Sequence, residues 1–316
     1  MAILIDPPAW PAHGTLWSHL ISDSDYDELH LFAAKLGAPR RGFDLDHYDV
    51  PASLYERAVL LGAQAVTAKD VVHRLRGSGL RVRGVDREAV RPLRRRHYLQ
   101  NEWLALGTRL EVSSALDPDE RNNWHALGAN LLTRWNEPHR SYHDERHLED
   151  VLLALNHLQV RGEMIAPETL LAAWFHDAVY EGSAGEDEAA SAELALRSLT
   201  DAEFALDGAL VASVGDHVLA TIPAREVADP PASLAHLLDA DLSIFAASPT
   251  RYADYASSVR REYAHVSDSA FANGRAQILE SYLLMPKIYR SDAAKALWED
   301  RARENLRSEF AELSKY

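Results

Sequence analysis

The sequence contains no cysteine in 316 residues. Disulfides, thiolate zinc sites and cysteine nucleophiles are therefore excluded, and redox chemistry gives no hint of compartment. Any metal has to bind through His, Asp or Glu. Positive charge is scarce as well, with 33 Lys+Arg against 48 Asp+Glu and a formal net charge of −15. Broad electrostatic attraction to nucleic acid or anionic lipid is not expected, although a local basic patch is compatible with that balance. Long apolar runs are missing too. The stretch LLAAWF, Leu170 to Phe175, ends at His176 and Asp177, well short of the roughly 18–20 residues that span a bilayer. The opening MAILIDPPAWPAHG has no basic leader, and Asp6 and two prolines break its apolar run, so no signal peptide is expected. A soluble, cytoplasmic protein without a membrane partner is the expectation.

The chain is longer than one core usually sustains, which predicts two domains. Over residues 1–82, AILI and AQAVTA read as strands, while DYDELHLFAAKLG, SLYERAVLLGA and KDVVHRLRGSG read as helices. That alternation predicts a small α/β domain. Between Arg74 and Arg96 nine arginines face only Asp86 and Glu88, and Gly77, Gly79, Gly84 and Pro92 interrupt the pattern. Residues 83–97 accordingly read as a solvated, arginine-rich linker, with an anion-binding patch as the alternative. Over 98–316 strand-like alternation gives way to long helical stretches, including NNWHALGANLLTRW, HLEDVLLALNHL, DEAASAELALRSL and GRAQILESYLL. An all-α domain is predicted there, making the chain mostly α. Neither an internal repeat nor any other low-complexity tract is evident.

The chemistry concentrates in the helical part. SYHDERHLEDVL carries His143 and His147 four residues apart at what reads as a helix start, so both can project from one face. That pair is either a metal-binding face or a solvated polar one. In LLAAWFHDAVYEG, His176 and Asp177 interrupt an apolar helix, where burial is costly unless both are satisfied. A buried ion pair achieves this, and so does a metal. HLLDADLSIF places Asp239 and Asp241 in another apolar segment, one suited to ligation and the other to capping. Two nitrogens with two carboxylates leave open positions for water and substrate, and suit Mn, Fe, Co, Zn or, less well, Mg.

YHDERH, AWFHDAVY, EDEAASAELA, LLDADLSIF, VRREYAHV and FANGRAQIL together resemble the metal-dependent phosphohydrolases of the HD superfamily, over about 101–316. In the cyclic-nucleotide phosphodiesterases of that superfamily, the second histidine of YHNxxH binds metal and the first protonates the leaving group. The resemblance implies that His147, His176, Asp177 and Asp241 are metal ligands, that His143 is the catalytic acid beside Asp177, and that Asp241, in ADLS, is preferred to Asp239. It further implies a phosphate ester as substrate, a nucleotide first of all, hydrolysed by metal-activated water. Asp144 stands where those phosphodiesterases have Asn, which leaves open how the acid is held. A histidine expected after LAT, Leu219 to Thr221, is missing from IPARE, with His217 as the nearest substitute. Arg140, Arg260, Arg261 and Arg275 are candidates for phosphate binding because a guanidinium fork matches phosphate oxygens. Glu188 is either a base or a helix-start acid. A rival expectation is a regulatory module that binds metal and nucleotide without turnover.

In the first part, ILIDPPAWPAHGTLWSHLISD and RRGFDLDHYDVP resemble a small bacterial domain of unknown function. No activity comes with that resemblance. Asp6, His13, His19, Asp46, His47 and Asp49 either cluster into a second polar site or simply serve turns.

Overall fold

The computed structural model describes residues 2–12, 14–112, 118–200, 204–222 and 227–313, with side chains of 118–122 left aside. The chain divides into two compact units, Met1–Arg96 and His97–Tyr316.

The first unit is α/β. Strands β1 (Ile3–Ile5), β2 (Trp10–Ala12), β3 (Thr15–Ser22), β4 (Tyr48–Pro51) and β5 (Gln64–Ala65) form one sheet. Strand β3 runs antiparallel to β1, β2 and β4, and β1 runs parallel to β5. Alternate residues of a strand face opposite sides, and the core follows that rule. Ile3, Ile5 and Leu20 pack with Leu29, Ala33 and Leu36 of α1 (Tyr26–Leu36) and Ala58 of α2 (Ala52–Leu60). Leu4 and Ile21 face the other way, onto Val71 and Leu75 of α3 (Ala68–Gly77). Helices therefore cover both faces of the sheet.

The stretch 83–97, read as a linker, has regular structure: from Arg87 the chain enters a helix, α4 (Arg87–Arg109), and the boundary between the two compact units falls after Arg96. Arginine is a good helix former, and the helix runs through Pro92, which lies beyond its first turn and cannot donate to the Glu88 carbonyl. The arginines also find acids far away in sequence: Arg81 pairs with Asp46, Arg87 with Asp44, and Arg94 lies over the Tyr26 ring.

The second unit is helical: α5 (Pro118–Arg134), α6 (Glu145–Val160), α7 (Pro167–Phe175), α8 (Glu186–Leu199), α9 (Gly208–Leu219), α10 (Ala232–Asp241), α11 (Pro249–Glu262), α12 (Asp268–Leu284) and α13 (Asp292–Leu313). Among the described residues no helix is long and apolar enough to cross a membrane. Its core includes a stacked pair, Trp103 on α4 and Trp124 on α5, with centroids 4.1 Å apart. Each indole N–H donates to the other's backbone carbonyl, at 2.8 and 3.0 Å. Such an approach needs glycine: a Cβ at Gly107 would meet Trp124 at 2.4 Å, and one at Gly128 would meet Trp103 at 2.3 Å. Helix α6 packs against α7 and α10, and α7 against α10, which draws the segments bearing His147, His176 and Asp241 together.

Candidate metal centre and cleft

Helix α6 starts at Glu145 because Asp144 caps it, accepting the backbone N–H of Arg146 at 2.8 Å. Leu148, Val151, Leu152, Leu155 and Leu158 recur at helical spacing and are buried. His147 shares that inward side and is buried as well. Helix α7 ends at Phe175, so His176 and Asp177 occupy the turn after it rather than its interior. Asp241 is the last residue of α10.

Four ligand atoms converge from these three segments. His147 Nε2 lies 3.1 Å from His176 Nε2, 3.5 Å from Asp177 Oδ2 and 3.2 Å from Asp241 Oδ1. His176 Nε2 lies 3.1 Å from Asp177 Oδ2 and 3.7 Å from Asp241 Oδ1. The His176 Nδ1–H donates to the Ala173 carbonyl at 2.9 Å, which leaves Nε2 as the ring nitrogen turned toward the cluster. Two ring nitrogens at that separation beside two carboxylates form a donor set that could hold a divalent metal. Burial works against a charged imidazole at His147, yet the carboxylates of Asp177 and Asp241 outweigh it and raise the pKa to about 10. Burial likewise opposes ionisation of Asp177, but His176, His147 and His143 hold it well below the usual carboxylate range.

Asp239 is placed differently. It is fully buried and accepts the backbone N–H groups of Arg290 and Ser291 at 2.7 and 2.8 Å and the Ser291 hydroxyl at 2.7 Å. Its carboxylate thus anchors the approach to α13. His217 bonds the Ser233 hydroxyl at 3.0 Å; residues 223–226 of IPARE lie outside the described residues.

His143 precedes the Asp144 cap, so the helix-face relationship expected with His147 does not hold. The pair is adjacent nonetheless, with ring centroids 5.7 Å apart. What orients His143 is Glu262, the last residue of α11, a group that the sequence reading missed. His143 Nδ1 lies 2.8 Å from Glu262 Oε2, and Glu262 Oε1 accepts the backbone N–H groups of Ser141, Tyr142 and His143 at 2.7, 2.7 and 3.0 Å. Tyr180 stacks on the imidazole at 4.1 Å and donates its hydroxyl to Glu262 at 3.1 Å. Although burial opposes it, the hydrogen bond and charge of His143 together with these backbone donors bring the Glu262 pKa down to about 2. A permanently ionised acceptor on Nδ1 leaves Nε2 as the atom His143 can present to a substrate.

His143, Asp177 and Asp241 line a cleft of about 420 Å³. Its walls are chiefly aromatic and aliphatic, with Tyr180, Phe245, Tyr263, Phe271 and Tyr282 among them. Among the described lining residues Arg275 is the one arginine or lysine, and its fork is engaged by Glu309 at 2.8 and 3.0 Å. The other arginines expected at phosphate lie outside this lining. Arg140 is buried and donates to Glu137 and to the carbonyls of His143, Asp177 and Ala178, tying the two ligand-bearing segments together. Arg260 bonds Tyr263, Val266 and Asp268, and Arg261 bonds Ser258. An arginine's place in the sequence does not reveal which of its donors are already engaged. Glu188 lines the cleft and accepts the Gly185 N–H at 2.5 Å at the start of α8; burial raises its pKa.

Neither a curated protein nor a solved structure matches the chain. Residues 3–78, all within the first unit, match the family described as Protein of unknown function (DUF4031), so this unit is similar to a domain whose activity that description leaves open.

Proposed function

We propose that the helical unit is a metal-dependent phosphohydrolase of the HD-superfamily type, acting on a small phosphate ester. The observation that carries this reading is the convergence of His147, His176, Asp177 and Asp241 at 3.1–3.7 Å, beside a cleft that also receives His143. When bound, a divalent ion there supplies Lewis-acid polarisation of a phosphoryl oxygen and a nucleophile from water at neutral pH. Two nitrogens in the donor set favour Mn, Fe, Co or Zn over Mg.

The protein's own groups supply the rest. Glu262 fixes the ring and tautomer of His143, so that Nε2–H can protonate a departing alkoxide. The stacked Tyr180 ring limits rotation of that imidazole, and Arg140 holds the backbone of His143 and of Asp177 in one frame. Aromatic walls suit a flat, apolar leaving group such as a nucleobase with its sugar. With the Arg275 fork already engaged, charge compensation for the phosphate falls to the ion, which supports a substrate with one phosphate group rather than a polyphosphate. The test is phosphate or alcohol release from nucleoside monophosphates, cyclic nucleotides and aryl phosphates by the metal-stripped full chain, supplied in turn with Mn, Fe, Co, Zn and Mg. Turnover restored by a transition metal and lost in His147→Ala is expected. Tight nucleotide binding without turnover under every metal would instead favour a regulatory binding module.

A further inference from the structure

A second set of ligands lies in the first unit, 100 or so residues upstream of the proposed centre. His19 on β3 and Asp49 on β4 are register partners across the sheet, and His47 sits just before β4. One ligand atom from each of His19, His47 and Asp49 lies within 4.8 Å of the others. The two imidazole rings meet edge to face at 5.1 Å, and His47 Nε2 is 3.5 Å from Asp49 Oδ1. We infer that these three residues bind a divalent first-row transition metal.

The argument rests on how the two histidines are held. His19 Nδ1 bonds Asp6 Oδ2 at 2.8 Å, and His47 Nδ1 bonds Asp46 Oδ1 at 2.6 Å. Both carboxylates are fully buried. Each is fixed in turn: Asp6 accepts the His19 backbone N–H at 2.6 Å, and Asp46 accepts the Val82 N–H at 2.7 Å and the Arg81 guanidinium. A carboxylate on Nδ1 sets the tautomer that leaves Nε2 bare, and it raises the basicity of that nitrogen; histidines that ligate metals are oriented this way. Here two such pairs sit beside one acid, Asp49.

The backbone is also bent to this arrangement. Leu45 adopts φ 64°, a left-handed conformation that a bulky side chain rarely takes, in a tight turn closed by Asp46 N to Asp44 O at 2.8 Å and Asp44 N to His47 O at 2.7 Å. Strain of this kind persists where its surroundings hold a functional geometry. Side-chain exposure rises from 13% at His47 to 27% at His19 and 45% at Asp49, so the site opens to solvent on the Asp49 side. Three protein ligands leave positions for water, as in catalytic centres rather than closed structural ones. Two nitrogens suit Zn, Fe, Co or Ni and not Mg or Ca. His13 lies outside the described residues.

The test uses the full chain, stripped of metal and dialysed against Zn2+, with bound zinc counted by elemental analysis. Asp49→Ala and His19→Ala are each expected to bind one zinc fewer than wild type, whatever the helical unit binds. The half-exposed Asp49 makes its replacement safe for the fold. Asp6→Asn, which releases the His19 ring without removing a ligand, should weaken this zinc about 10- to 100-fold. Co2+ should quench the fluorescence component removed by Trp10→Phe, since Trp10 packs 5.5 Å from the His19 ring. Equal zinc, at equal affinity, in wild type, Asp49→Ala and His19→Ala with unchanged circular dichroism would overturn the inference.

Discussion

The Glu262 carboxylate lies 2.8 Å from Nδ1 of His143 across 119 residues of sequence, and it receives three backbone N–H groups from the loop that carries His143. One side chain therefore positions both the imidazole and the chain beneath it. Replacing it by Gln keeps a carbonyl for the backbone donors but removes the charged acceptor on Nδ1. Glu262→Gln should lower kcat by about 10- to 100-fold with KM little changed. An unchanged kcat would mean that Glu262 acts only on the fold.

The same group sets an acid dependence of stability. Its folded-state pKa of about 2 lies below the ordinary 4.5, so its contribution is present above about pH 4.5 and is lost as pH falls toward about 2. Wild type should therefore lose Tm more steeply than Glu262→Gln over that window. Parallel Tm curves for the two proteins would contradict this.

His143 touches the cleft but no ligand atom of the cluster, so His143→Ala should retain metal while losing about 100- to 10,000-fold in turnover. Aryl phosphates, whose leaving groups need little protonation, should suffer least. Loss of metal in this variant, seen by elemental analysis, would place His143 among the ligands.

Asp239 and Asp241 should separate cleanly. Asp241→Ala is expected to empty the centre with little change in Tm. Asp239→Ala leaves the amides of Arg290 and Ser291 without their acceptor, which should cost about 1–3 kcal/mol of stability, read as a lowered Tm. The opposite ordering of metal loss would refute the assignment of Asp241.

At Gly128 a methyl group would meet the Trp103 indole at 2.3 Å, and the stacked Trp103–Trp124 pair has no room to yield. Gly128→Ala should destabilise the chain by roughly 1–3 kcal/mol in urea unfolding. A neutral effect would show that the pair is loosely packed.

How much of this was legible in the sequence follows from the range of each interaction. His147, His176, Asp177 and Asp241 stood out because polar residues in apolar segments demand a partner. Glu262 did not stand out: in VRREYAHV it is one charge among several on an amphipathic helix, and its partner is 119 residues away. The ion pairs of the arginine-rich stretch were not legible for the same reason, since its neutralising acids, Asp44 and Asp46, precede it by 35 residues or more. Strand β3 was missed although TLWSHLIS carries the longest strand of the sheet; its inner face includes Ser18 and Ser22, which weakens the apolar alternation.

The central claim is that His147, His176, Asp177 and Asp241 hold a divalent metal. Its most direct test is the transition-metal content of purified wild type against His176→Ala/Asp177→Ala, both folded by circular dichroism and dialysed against the same metal. The double variant should carry one equivalent less than wild type. Equal metal in the two proteins would contradict the account.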